Sequence, residues 1–437
     1  MELASLLESH GQSHLHAALE RLDAPARARL QAQLESLDGD EVRRAHHDAG
    51  PEAAVASPSA LAPAPSVSPT PEETEAFRER GLSLLRQGKA AFVLMAGGQG
   101  SRLGFSGPKG SAPLGFPNDW TLFSLLCRRL RRLGDLAGTV PAFLVMTSPE
   151  NDAATRAWFT ANDTLLPAGS IRFFQQGVFP ALDAQGRVLL SEASSLALAP
   201  DGNGGVFLAL ERSGMLAQLE REGVEWLHVA GVDNALSVPC DPMFLGFADA
   251  SGAPVASKSV LREDPAEKAG VFRLDAAGLP GVAEYTEVGA LAAERAPDGA
   301  LLFREANIAS HLVRRETAGR FAREGLPWHL ARKKLAHIDP ATGEAGTEPV
   351  CKYERFLFDA FPLAGSMALL RVGRAQEFAP VKNADGADSP ATALAALRAQ
   401  SARWRSRWTA QGVAATSPVF AGELVDPALS LWGEQPG

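Results

Sequence analysis

The chain has 437 residues, 46% apolar and 21% charged, the proportions of an ordinary globular protein that is too long for one small core. Its net charge of -9 argues against a nucleic-acid partner, and no apolar run is long enough to span a bilayer. Cys127, Cys240 and Cys351 are odd in number and far apart, which fits neither a disulfide framework nor a zinc site and leads us to expect buried thiols in a cytoplasmic protein.

Met1-Glu2-Leu3-Ala4 has neither the basic nor the apolar region of a signal peptide. Leucines then recur at helical spacing, at Leu3, Leu6, Leu7, Leu15, Leu19, Leu22, Leu30 and Leu34. Gly11 and Asp23-Ala24-Pro25 break them into two or three short helices, so residues 1–48 are predicted to form a helical N-terminal segment. His10, His14, His16, His46 and His47 lack a regular ligand spacing and are expected on exposed helix positions, not around a metal. Residues 49–71 turn to Ala, Pro and Ser, the composition of a linker without secondary structure. A helix is predicted from Pro71 to Gln87, opening a catalytic domain over 72–395, with 396–437 as a small C-terminal region.

An apolar strand-forming run from Ala91 ends in Met95-Ala96-Gly97-Gly98-Gln99-Gly100-Ser101-Arg102-Leu103-Gly104, with Lys109 shortly after. Without Cβ atoms, Gly97, Gly98 and Gly100 let the main chain approach an anion closely, and Arg102 and Lys109 add two cations suited to polyphosphate. A P-loop would need Gly-x-x-x-x-Gly-Lys-Ser/Thr, which is absent. A dinucleotide fingerprint would need its third glycine one residue before Gly104 and an acid after the next strand, where Thr147-Ser148 stands instead. The loop of a nucleotidyltransferase, with the Arg and Lys on the leaving pyrophosphate, accounts for the pattern. The bland alternative is a tight turn carrying two solvated cations.

Thr121 to Leu133 reads as an amphipathic helix with Arg128, Arg129, Arg131 and Arg132 on a solvated face. Then follow a strand at Ala142–Met146, a helix at Asp152–Ala161, a strand at Ile171–Gln175, a helix at Val206–Glu222 and a strand at Trp226–Gly231. This alternation predicts an α/β fold, a mixed, mainly parallel sheet with helices on both faces, Rossmann-like in the manner of nucleotidyltransferases. Ligands in such sheets bind at the carboxyl ends of the strands. Three candidate sites fall there: the Gln175-Gln176 amides, able to pair a pyrimidine edge; the glycine-dense Asp201-Gly202-Asn203-Gly204-Gly205; and Asp233, directly after an apolar strand, where phosphate chemistry places a Mg²⁺ ligand. Each has a plain structural role as its alternative: a solvated amide, a flexible loop, a cap.

Taken in order, these motifs resemble the eukaryotic-type UDP-N-acetylhexosamine pyrophosphorylases of the UDP-sugar pyrophosphorylase family. The likeness covers about residues 75–395 and extends through Val282-Ala283-Glu284-Tyr285-Thr286-Glu287, Asn307-Ile308-Ala309-Ser310-His311, Glu354-Arg355-Phe356-Leu357-Phe358-Asp359 and Pro380-Val381-Lys382-Asn383-Ala384-Asp385. The resemblance implies a uridylyltransferase that makes a UDP-sugar and pyrophosphate from UTP and a hexose-1-phosphate, N-acetylglucosamine-1-phosphate first. A UTP-glucose-1-phosphate or broad-specificity enzyme is the alternative, and a non-catalytic sugar-nucleotide sensor the rival from another class. It implies Met95, Ala96, Gly97 and Gly98 on the nucleoside, Gln176 and Gly202 on the uracil, Arg102 and Lys109 on the triphosphate, and Asp233 on Mg²⁺. It further implies Asn203, Gly270, Glu284, Tyr285 and Asn307 around the sugar, with Lys352 and Lys382 on phosphates. From their spacing alone, Asn307 and His311 would share a helix face, with His311 either in the core or behind the residues that touch the substrate. After Lys109 the chain reads Gly110-Ser111-Ala112-Pro113 where the family has a Gly-x-Tyr-Asp-like run, and its C-terminal region is short, so oligomeric state and sugar choice stay open.

Overall fold

Strands rich in Phe, Val and Leu build the centre of a ten-stranded sheet. We describe residues 3–49, 61–346, 348–414, 417, 420 and 422–435 from a computed structural model of the chain. Ala90–Met95 lies between Ala142–Thr147 and Trp226–Gly231, parallel to both, and Ile171–Gln175 extends the parallel set beyond Ala142–Thr147. Phe92, Val93 and Leu94 are fully buried, the mark of a strand covered on both faces. On the other side Glu305–Arg314 runs antiparallel to Trp226–Gly231 and also pairs Val255–Leu261, which carries Ala368–Arg371 parallel at its far edge. The sheet is therefore mixed, with its parallel strands grouped where the expected α/β alternation lies.

The chain folds as two compact units, and their boundaries differ from the sequence-based division. One unit is drawn from Met1–Val55, Gln176–Val206 and Glu324–Ala360; the other, which holds the large sheet, from Ala56–Gln175, Phe207–Arg323 and Phe361–Gly437. The N-terminal helices do not stand apart, because Leu7, Leu15, Leu19, Leu30 and Leu34 share one buried core with Phe179, Leu182, Leu190 and Tyr353. Nor are their histidines all exposed. His14 Nε2 lies 2.9 Å from the Val188 carbonyl, and His46 Nδ1 lies 2.8 Å from the Tyr353 hydroxyl. Across the expected boundary at 396 one helix runs over Pro390–Ala410 and buries Leu397, Trp404 and Trp408.

Part of the expected linker is structured. Ala62–Pro63 pairs with Leu274 and Arg273 at the sheet edge, and Val67 exchanges main-chain hydrogen bonds with Leu369 and Arg371. Residues 50–60 of that segment lie outside the described residues. The helix expected over Val206–Glu222 is two, Val206–Arg212 and Met215–Arg221, broken at Gly214 with φ +73°. The arginine face of Leu122–Ala137 is not solvated throughout. Arg129 is buried and donates to the Ser237 carbonyl at 3.0 Å, while Arg132 reaches Glu434 at 3.1 Å. Among the described residues no helix is long and apolar enough to cross a membrane, and the three cysteines are free and buried.

Candidate functional site

The four parallel strands end on one edge of the sheet, and the glycine loop leaves from the middle of it. After Met95 the chain closes on itself. The Gly100 N–H donates to the Gly107 carbonyl at 2.8 Å, the Lys109 N–H donates to the Gly98 carbonyl at 3.1 Å, and Gln99 bridges to Pro108. Gly104 turns the ring at φ +71°, a conformation that costs a side chain free energy. The ring closure brings Lys109 back beside Gly98, which sequence separation alone would not suggest.

Asn151 holds the root of this loop. Buried, it donates from Nδ2 to the Ala96 carbonyl at 2.9 Å, while its Oδ1 accepts from the Ser148 N–H at 2.9 Å. Sequence reading missed it, because an Asn just before a helix reads as a cap.

Lys109 is the electrostatic centre of the edge. Burial holds its ammonium below the usual lysine value, Asp233 pulls the other way, Lys382 and Arg102 push further down, and Asp388 pulls up. Groups from distant parts of the chain, Arg102, Asp233, Lys382 and Asp388, thus all act on Lys109. Backbone pairing produces this juxtaposition: the Val381 N–H donates to the Asp233 carbonyl at 2.8 Å, and the Ala235 N–H to the Ala379 carbonyl at 3.0 Å. The Lys382 N–H donates to the Asp388 carbonyl at 2.6 Å, with its Nζ 3.6 Å from the Asp388 carboxylate.

Gly270, Glu284 and Asn307 form a neighbouring group. The Asn307 N–H donates to the Gly270 carbonyl at 2.9 Å, and a Cβ at Gly270 would crowd Val282 and reach Glu284. Tyr285 is exposed at the start of the short helix Tyr285–Val288. Asn307 and His311 lie on the strand Glu305–Arg314, not on a helix. Ala309 between them sits at φ +52°, its N–H bonded to Asn307 Oδ1 at 2.9 Å, where the pairing with Val255–Leu261 shifts register. The strand carries Asn307 past the same end of Trp226–Gly231 that carries Asp233. His311 is a core residue, its Nδ1 2.8 Å from Ser257 Oγ.

In the other unit, Gly202 takes φ +89° and lies so close to the Arg355 main chain that any Cβ would collide with it. Asn203 follows, its Oδ1 accepting from the Leu357 N–H at 2.9 Å, which explains the company of the Glu354-Arg355-Phe356-Leu357 motif. Gln176 is 9% exposed, and Lys352 Nζ pairs with Glu354 at 2.7 Å.

Among the described residues no group of three or more His, Cys, Asp or Glu could hold a metal by itself. Asp233, a carboxylate that acts on Lys109 with Asp388 as the other acid there, fits the manner of Mg²⁺, which takes one or two carboxylates and completes its shell with substrate phosphates and water.

Comparison with known proteins agrees with this chemistry. The family described as UTP–glucose-1-phosphate uridylyltransferase matches residues 72–408. The human UDP-N-acetylhexosamine pyrophosphorylase-like protein 1 is 36% identical over 441 residues, spanning 93% of this chain and 85% of its own. The UDP-N-acetylglucosamine pyrophosphorylase of Saccharomyces cerevisiae is 36% identical over 353 residues, spanning 76% and 73%. The crystal structure of the uridine diphosphate N-acetylglucosamine pyrophosphorylase from Trypanosoma brucei superposes with a TM-score of 0.85 at 29% identity, covering 99% of this chain and 94% of that one.

Proposed function

The chain belongs to the UTP–glucose-1-phosphate uridylyltransferase family of nucleotidyltransferases, and from that premise we propose that it makes UDP-N-acetylglucosamine from UTP and N-acetylglucosamine-1-phosphate, releasing pyrophosphate. What supports the chemistry is the main-chain pairing at the carboxyl edge of the sheet that brings Val381-Lys382 to Asp233 and Lys109 to Gly98, with Asp233, Lys382 and Arg102 all acting on Lys109. The names of the relatives support the N-acetylated sugar, while the family description keeps glucose-1-phosphate as the second reading.

In this reading an oxygen of the sugar phosphate attacks the α-phosphorus of UTP. The new P–O bond forms as the bond to the bridging oxygen of the β-phosphate breaks, and that electron pair leaves with pyrophosphate. The nucleophile is already ionised, so no side chain need take a proton. Arg102 and Lys109 hold the triphosphate and meet the charge that develops on the leaving group, and Lys382 aligns the sugar phosphate. Lys109 does this from a partly desolvated position, where its field on a phosphate is less screened. The glycine ring brings the main chain of Met95, Ala96, Gly97 and Gly98 close to the nucleoside. Gln176 and Gly202 are our candidates for the uracil, Lys352 for a phosphate, and Asn203, Gly270, Glu284, Tyr285 and Asn307 for the sugar. Asp233 would hold Mg²⁺, which neutralises phosphate charge when bound. The free, buried thiols accord with a reaction in the cytosol.

The test is pyrophosphate release with UTP, Mg²⁺ and, in separate runs, the 1-phosphates of N-acetylglucosamine, N-acetylgalactosamine, glucose and galactose. We expect release with the N-acetylated sugars. Release with glucose-1-phosphate alone would replace this reading with the second one. Silence across the panel, with UTP still bound, would mean a non-catalytic sensor.

A further inference from the structure

Beneath the Asp233–Lys382 edge lies a buried charge cluster that the mechanism above does not use. Lys258, on the strand Val255–Leu261, has its ammonium 2.7 Å from Asp241 Oδ2 and 2.9 Å from Glu377 Oε2, with its side chain 3% exposed. Asp241 in turn caps the helix Pro242–Ser251, accepting from the Met243 N–H at 3.1 Å. The positive charge of buried Arg129, which donates to the Ser237 carbonyl, also acts on Glu377. Burial alone would lower the Lys258 pKa, but Asp241 and Glu377 hold its ammonium above the usual lysine value. Buried ion pairs of this kind are weak evidence for stability, because desolvation offsets much of the attraction. Fixing the position of what they hold is the better account.

What this cluster holds is a turn. The Glu377 carboxylate is clamped by Lys258, and the Glu377 main-chain carbonyl accepts from Asn234 Nδ2 at 2.7 Å. Asn234 Oδ1 accepts from the Ala379 N–H at 2.9 Å and from the Leu236 N–H at 3.1 Å. One amide thus bonds both the turn that follows Asp233 and the segment that leads to Lys382, 8% exposed between them.

We propose that Asn234 is a positioning residue for the transfer: it sets Lys382 at a fixed place against Asp233, on a support that Lys258 and Glu377 keep rigid. This rests on the reading of Lys382 as a ligand of the sugar phosphate. An Asn one residue after the candidate metal-binding acid would otherwise be a simple turn former; two bonds to the distant segment 377–379 and one to its own turn make it a joint.

A double-mutant cycle tests this. Asn234→Ala, Lys382→Ala and the double variant are compared for kcat of pyrophosphate release at saturating UTP, N-acetylglucosamine-1-phosphate and Mg²⁺, with thermal unfolding as the control for folding. Asn234→Ala should lower kcat about tenfold in the native background, the size of one displaced hydrogen bond. On the Lys382→Ala background it should cost no more than about twofold, since the group it positions is gone. An equal loss in both backgrounds would overturn the inference, as would native turnover in Asn234→Ala. Native turnover in Lys382→Ala would overturn the role of Lys382 itself, and the inference with it. If Asn234→Ala does not fold, Asn234→Asp serves in the same cycle, keeping the acceptor for Ala379 and Leu236 while removing the donor to Glu377.

Discussion

At the scale of single residues, the site is a balance of charges around Lys109. Replacing Lys109 with Met keeps the length of the side chain and removes the cation that Asp233 and the other groups act on. We expect kcat to fall by about 10²–10³, the usual loss of one preorganised electrostatic contact, with the fold unchanged by circular dichroism. Turnover near the native value would remove Lys109 from the mechanism. Arg102, Lys109 and Asp233 stand out in the sequence as candidates, because glycine density and an acid after an apolar strand are local patterns. Asn151 and Asn234 do not. An amide looks the same in sequence whether solvated or buried, and its role comes from carbonyls 53 to 55 or 143 residues away.

At the scale of elements, two helices meet through glycine. The helix Pro71–Arg86 packs on Pro242–Ser251 with Gly81 against the Pro242 carbonyl and Gly246 against that of Phe77, where a Cβ on either would collide with backbone. Gly246→Ala should therefore lower the free energy of unfolding in urea by about 1–3 kcal/mol, although alanine is the better helix former. An unchanged or higher stability would show that the helices can part without loss. The same scale explains where sequence reading of elements held and where it failed. The strands Ile171–Gln175 and Trp226–Gly231 and the helix Asp152–Ala161 stand where composition and period put them. Asn307 and His311 read as helical because a spacing of four suits both one turn of helix and two steps of strand. Ala62–Pro63 read as linker because its pairing uses the main chain, which leaves no mark on residue type.

At the scale of the whole molecule, two buried imidazoles make the fold sensitive to acid. His228 Nδ1 accepts from the Cys240 N–H at 2.8 Å, so its proton sits on Nε2, facing Ser310 Oγ at 2.9 Å. Burial pushes His228 down to about 3 from an ordinary 6.5, helped by Lys258, and burial does the same to His311. The unfolded chain thus binds protons below pH 6.5 that the folded chain refuses until about pH 3, and stability must fall as pH drops through that window. Between about pH 6.5 and 5, before most carboxylates titrate, we expect the unfolding free energy to decline with a slope approaching two protons, and His311→Gln to remove about one of them. A flat profile over that range would mean that these imidazoles charge in place. Taken as a whole, the sequence by itself determined the α/β class and the family, and marked the glycine loop as the phosphate-binding candidate, because each is written in local pattern and motif order. Only the tertiary structure decided that the N-terminal leucines share a core with 176–206 and 324–360, that Arg129 is buried against the Ser237 carbonyl, and that Asp233 pairs with Val381, the neighbour of Lys382. Those outcomes depend on which distant segments pair and on which charges burial brings together, and no window of neighbouring residues carries that information.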